Sequence, residues 1–147
     1  MIREVESSGP HEQIYESNRG RLIIRELGPS TILFVELGFL EKGFAAHIER
    51  AMNGIVQRSL RGAKPTIFVD AEGLGGYEPE IQTSATQWIR ANKSRIAVQH
   101  MLVSSMITRM GLSVASLALG GIIKGYTSRA DFEAAMQLAT NGYAASA

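Results

Sequence analysis

An α/β fold is predicted for this chain, with a mixed, mostly parallel sheet of about five strands and about four helices in the order ββαβαβαβα. Three observations predict it. Apolar runs with no polar interruption, such as Thr66-Ile67-Phe68-Val69, read as strands covered on both faces. Segments with apolar residues at helical spacing alternate with those runs, which implies crossover connections and parallel pairing. Glycine and proline clusters fall at the junctions.

Residues 1–20 mix charge, serine and Gly9-Pro10 with little periodicity, so they are expected to form a loose arm or a short edge element. Arg21 to Glu26 and Thr31 to Leu37 are β-rich and flank Gly28-Pro29-Ser30, a turn-forming cluster, which together predict a β-hairpin. From Glu41 the period changes. Phe44, Ile48, Met52, Ile55, Val56 and Leu60 fall on one helical face, and Gly62 and Pro65 end that helix. A strand follows from Thr66 to Asp70. Pro79 suits the first position of the next helix, whose stripe is Ile81, Ala85, Trp88 and Ile89. Ile96 to Val103 reads as a strand. A helix with Met106, Met110, Val114 and Leu117 on one side is expected next, then a short strand over Gly121 to Tyr126. Ser128 caps a final helix with Asp131 three residues on, and Phe132, Ala135, Met136 and Ala139 form its apolar face. The expected division is an arm over 1–20, one domain over 21–141 and a tail over 142–147.

Composition narrows the function. At 147 residues and 45% apolar content the chain suits one domain with a sizeable core. A net charge of +1 provides no electrostatic footprint for nucleic acid or for an acidic membrane surface. There are no cysteines, which removes disulfides, thiol catalysis and cysteine-ligated metals and accords with a cytoplasmic setting. Met1-Ile2-Arg3-Glu4-Val5-Glu6 carries charge where an export signal needs an apolar core. The apolar stretch from Met101 to Ile123 contains Arg109 and several glycines, so no membrane span is expected. The apolar content also leaves room for a self-complementary patch, and hence for a homodimer.

The segment Asp70-Ala71-Glu72-Gly73-Leu74-Gly75-Gly76-Tyr77 joins a buried strand to a glycine-rich turn, which is where open α/β sheets place their sites. Asp70 and Glu72 form a carboxylate pair, open either to metal or acid–base chemistry or to capping of the turn itself. Gly73, Gly75 and Gly76 permit a sharp turn or the close approach of another molecule. The stretch lacks the lysine and the Gly-Lys-Ser/Thr ending of a phosphate-binding loop, and its two carboxylates repel an anion. His11, His47 and His100 show no metal-ligand spacing, and neither cofactor nor metal is expected. His100, within a strand, is expected to be hydrogen-bonded, and His47 to be exposed.

Asp70-Ala71-Glu72-Gly73-Leu74-Gly75 resembles the Asp-Ser-Ser-Gly-Leu-Gly turn of STAS domains, the anti-sigma-factor antagonists and sulfate-transporter tails, and the element order is similar to theirs. In the antagonists a partner kinase phosphorylates the second serine, and the phosphate turns partner binding off. Glu72 stands at that position, without a hydroxyl and with a permanent charge of about −1, where phosphoserine holds roughly −1.5 to −2. Gly76-Tyr77-Glu78-Pro79 followed by Trp88 is similar to the divergent STAS-like and SEC14-like group of small bacterial proteins. The resemblance implies a non-enzymatic domain that binds another protein, such as a regulatory kinase, an anti-sigma factor or a signalling protein, through Asp70, Glu72, Gly73, Leu74, Gly75, Gly76 and Tyr77. Its SEC14-like side implies a carrier of a lipid or apolar small molecule, with Met101, Met106 and Met110 lining the cavity. A metal-assisted hydrolase built on Asp70 and Glu72 is the third reading.

Overall fold

A strand ten residues long, at the centre of a mixed sheet, organises the molecule, whose computed structural model describes residues 1–59, 62–104 and 121–146. The elements are β1 (Arg3–Val5), β2 (Glu12–Glu16), β3 (Gly20–Gly28), β4 (Thr31–Leu40), α1 (Phe44–Arg58), β5 (Thr66–Asp70), β6 (Leu74–Tyr77), α2 (Pro79–Asn92), β7 (Val98–Leu102), β8 (Ile123–Tyr126) and α3 (Arg129–Ser146). The sheet runs β1-β2-β3-β4-β5-β7-β8, with β6 paired to the far end of β4. Pairings from β1 to β4 are antiparallel, and β4 with β5, β4 with β6, β5 with β7 and β7 with β8 are parallel.

The expected hairpin is β3 with β4, turning at Gly28-Pro29-Ser30. Pro79 opens α2 as its first residue, and Ser128 Oγ accepts the amide of Asp131 at 3.2 Å to cap α3. From β4 outward each crossover steps in the same direction along the sheet, so right-handed connections place α1 and α2 on one face. The larger core lies there. Ile32, Phe34, Ile67 and Val69 point from the sheet to meet Met52 and Ile55 of α1 and Ile81, Trp88 and Ile89 of α2. Trp88 is 5% exposed and donates through Nε1 to Asn53 Oδ1 at 2.7 Å, joining the two helices. On the other face, Leu33, Phe68 and Leu102 meet Phe132 of α3.

The sheet has eight strands where about five were expected, and three helices stand among the described residues. The helix expected over Met106 to Leu117 lies outside the described residues. Residues 1–20 form β1 and β2, with Tyr15 buried at 5% exposure and stacked on His47 at 3.9 Å between ring centroids. Their charges concealed them. Glu16 pairs with Arg3 and Arg21, and Glu12 with Arg25, so the polar residues of β2 are neutralised across strands rather than solvated in a loop. The last helix continues to Ser146, through the stretch expected as a tail.

The third additional strand, β6, arises because β4 outruns β5. Register with β5 ends at Val35 opposite Asp70, which leaves the remainder of β4 without a neighbour on that side. Gly38 then breaks the register with φ of +73°, and β6 takes up the pairing through Phe39 with Gly76 and Leu40 with Tyr77. A Cβ at Gly38 would lie 2.5 Å from the Arg19 carbonyl oxygen, so backbone conformation and space both demand glycine. Gly38→Ala should therefore cost about 2 kcal/mol or more in urea unfolding, against under about 0.5 kcal/mol for Gly75→Ala. Equal costs would show that the break in β4 does not need glycine.

Candidate functional site

Asp70 ends β5 on the face that carries Phe68, and alternation along the strand aims its carboxylate toward the start of α3. Arg129, the first residue of α3, reaches back and closes on it. Its Nη2 donates to Asp70 Oδ2 at 2.9 Å and Oδ1 at 3.1 Å, its Nε to Glu72 Oε1 at 3.0 Å and its Nη1 to Glu133 Oε1 at 3.3 Å. Asp70 Oδ1 also accepts the amide of Glu72 at 3.3 Å, so the aspartate serves its own turn. The cation between the two carboxylates is thus a guanidinium, and no cluster of three or more metal-binding side chains occurs among the described residues. The Asp70 side chain is 13% exposed and that of Glu72 41%, which makes the first an anchor and leaves the second accessible. Sequence reasoning missed Arg129, which lies 59 positions from Asp70.

Gly73 and, less tightly, Gly76 act by closeness rather than by left-handed backbone. None of Gly73, Gly75 or Gly76 has a positive φ. A Cβ on Gly73 would come within 2.6 Å of Leu37 Cδ2, so the molecule that approaches this turn is the chain's own β4. Gly38 donates its amide to the Gly73 carbonyl at 3.0 Å, and Glu78 donates its amide to the Leu40 carbonyl at 2.9 Å. These bonds hold the stretch as an ordered knuckle. Tyr77, 38% exposed, donates from its hydroxyl to Gln82 Oε1 at 3.1 Å on α2.

On the opposite face, Glu36 continues the inward alternation of Ile32 and Phe34 and is 8% exposed. Burial, with a further contribution from the Asp70 charge, raises its carboxyl from 4.5 to about 7. It lines a pocket of about 140 Å³ with Ile48, Met52, Ile81, Gln99 and Met101. Met101 is among the residues lining this pocket, while Met106 and Met110 lie outside the described residues. The inward register of Glu36 was legible in the alternation, but a single glutamate in a β-rich run carried no further signal.

His100, 9% exposed, stacks on Phe68 at 4.5 Å, and its Nδ1 lies 2.8 Å from the Tyr126 hydroxyl. Burial, and then the charge of Lys124, lower it from 6.5 to about 4, so it is neutral at physiological pH. It is hydrogen-bonded, as expected for a sheet histidine. His47 departs from expectation: its ring lies against Tyr15, and its Nδ1 is buried without a hydrogen-bond partner.

No family model matches the sequence, and no curated protein matches it. Solved structures do match its fold. The unphosphorylated anti-sigma factor antagonist SpoIIAA superimposes with a TM-score of 0.61 at 14% identity, over 80% of this chain and 96% of that one. The phosphorylated form of the Bacillus cell fate determinant SpoIIAA gives 0.54 at 15% identity, over 78% and 98%. An uncharacterised DUF3478-family protein with a SpoIIAA-like fold from Shewanella loihica PV-4 gives 0.52 at 14% identity, over 86% and 95%. The chain thus has a SpoIIAA-like fold. Among the described residues no helix is long and apolar enough to cross a membrane.

Arg129→Ala should destabilise the fold by about 1–3 kcal/mol, because it leaves the mostly buried Asp70 without its cation, whereas Glu72→Gln should cost under about 1 kcal/mol. Urea unfolding of both variants checks the ranking, and an equal or reversed order contradicts it. Glu36 and His100 oppose each other in pH dependence. Because the folded-state value of Glu36 is raised, its destabilising effect is absent below pH 4.5, grows up to about pH 7 and stays constant above it. Because that of His100 is depressed, its destabilising effect grows as pH falls from 6.5 to about 4. At about 1.4 kcal/mol per pH unit each effect amounts to at most roughly 3 kcal/mol, so between them the wild type should be nearly flat over this range. Glu36→Gln should leave stability unchanged near pH 4.5, raise it by up to about 3 kcal/mol at pH 8 and unmask a rise with pH. A variant less stable than wild type at pH 8 would contradict this placement of Glu36.

Proposed function

We propose that this chain is a non-enzymatic regulatory domain that binds another protein through Asp70, Glu72, Gly73, Leu74, Gly75, Gly76 and Tyr77, with Glu72 at the position of the antagonists' phosphorylated serine. The observation that carries the reading is the knuckle itself. It projects beyond the carboxyl end of β5, is pinned by Arg129 and by β4, and presents the charge of Glu72 and the ring of Tyr77 to solvent. A surface already ordered loses little conformational entropy on binding, and a tyrosine beside a fixed charge is the composition of an interface anchor. The likeness to SpoIIAA, named as an anti-sigma factor antagonist, supports the same class of partner: a kinase, an anti-sigma factor or another signalling protein.

Glu72 supplies a constant negative charge where a phosphoserine switch alternates between none and roughly −2. On this reading the domain is held in one state, and its Arg129 contact is permanent. The second reading, a carrier, draws its support from the pocket beside Met101. That pocket matches a small apolar molecule in size rather than a two-chain lipid.

Affinity capture from the native cell tests the interaction surface. Glu72→Lys should lower recovery of the specific partner by about tenfold or more, since charge reversal in an interface opposes an existing complementarity. Lys64→Glu, which precedes the other end of β5, should leave it unchanged. Equal recovery with wild type and Glu72→Lys would count against this surface.

A further inference from the structure

We propose that the pocket between α1, α2 and the sheet binds a small apolar amine, a ring-sized or branched aliphatic body carrying one ammonium group that pairs with Glu36. The site borders the partner surface, with which it shares Leu74 and Tyr77 in its lining. It lies on the sheet face opposite the Asp70–Arg129 contact, and its key residue takes no part in the knuckle.

Size sets the body of the ligand. At about 140 Å³ the pocket is comparable to an apolar cavity of about 150 Å³ that accepts benzene. Its walls are Ile48 and Met52 of α1 and Ile81 and Ile89 of α2, so the body meets hydrocarbon. Tyr77, Gln82 and Thr86 line its more exposed part, and two buried polar side chains interrupt the wall. Glu36 of β4 is 8% exposed and Gln99 of β7 is 5% exposed, and both line the cavity. Neither side chain makes a hydrogen bond among the described residues. Buried acids and amides in folded proteins are ordinarily paired, and with no hydrogen bond to another described residue both groups are available to a donor that enters this largely apolar pocket.

Charge sets the head group. Among the described residues that line the pocket there is no lysine, arginine or histidine. On the other face Asp70 has Arg129, but the charge of Asp70 still acts on Glu36. Glu36 therefore feels a second negative charge, and no described residue of the lining supplies a cation. An anionic ligand is repelled there. An alcohol satisfies one hydrogen bond without neutralising the carboxyl, whereas an ammonium neutralises Glu36 and has protons to spare for the Gln99 amide oxygen.

The test is an NMR titration of the full chain with benzylamine, benzyl alcohol and phenylacetate. Benzylamine should shift the amides of Glu36, Ile81 and Gln99 saturably, and bind about tenfold more tightly than benzyl alcohol, as a charge-assisted bond to a largely buried carboxylate implies. Phenylacetate should not bind. Glu36→Gln should remove the preference for the amine, and Ala85→Phe, which fills the pocket from α2, should abolish both the amine and the alcohol. Equal affinity of the wild type for amine and alcohol would overturn the proposal without recourse to any variant. An unchanged amine preference in Glu36→Gln, or shifts that map away from this pocket, would overturn it as well. Failure of the Glu72→Lys capture experiment bears only on the partner surface, because that residue does not line the pocket.

Discussion

The mismatch in length between β4 and β5 is the constraint from which the rest of this structure follows. β4 extends over ten residues and β5 over five, so after Val35 the backbone of β4 needs a new partner on that side. An unpaired strand edge within a sheet leaves hydrogen-bonding groups that must find partners or water. The chain supplies them by returning as β6 directly after Asp70-Ala71-Glu72. The break at Gly38 lets β4 change register to receive it, and the glycine at 73 leaves room for the Leu37 side chain of β4.

That arrangement divides two acids between the two faces of the sheet. Glu36, midway along β4, directly follows Val35, the residue opposite Asp70 at the end of β5, yet alternation sends Asp70 toward α3 and Glu36 toward α1 and α2. Asp70 is neutralised by Arg129, which also fixes the start of α3 and holds Glu72. Glu36 faces a pocket with no described cation in its lining. One acid therefore builds a rigid external contact, and the other stores an unmet electrostatic demand in the interior. Phe132, fully buried against Phe68, supplies the apolar half of the attachment of α3.

The sequence exposed those parts of the fold that rest on local patterns. Apolar runs marked β5 and β7, Gly28-Pro29-Ser30 marked the hairpin, and Pro79 and Ser128 marked helix starts, because each signal is confined to a few neighbouring residues. β1 and β2 were obscured because their charges are balanced by residues on other strands, as Glu12 is by Arg25. β6 was obscured because three of the five residues from Gly73 to Tyr77 are glycines, which strand propensity disfavours; pairing with β4 overrides it. At the site, Asp70 and Glu72 stood out by their turn. Arg129 did not, since only the folded chain brings it to them.

Amide hydrogen exchange on the native protein tests most directly whether residues 72–77 form an ordered extension of the sheet. Gly38 donates to the Gly73 carbonyl and Glu78 to the Leu40 carbonyl, so both amides should exchange at rates close to those of central β4 and β5 amides. Exchange of both at the rate of an open loop, with the amides of β5 still protected, would contradict the account.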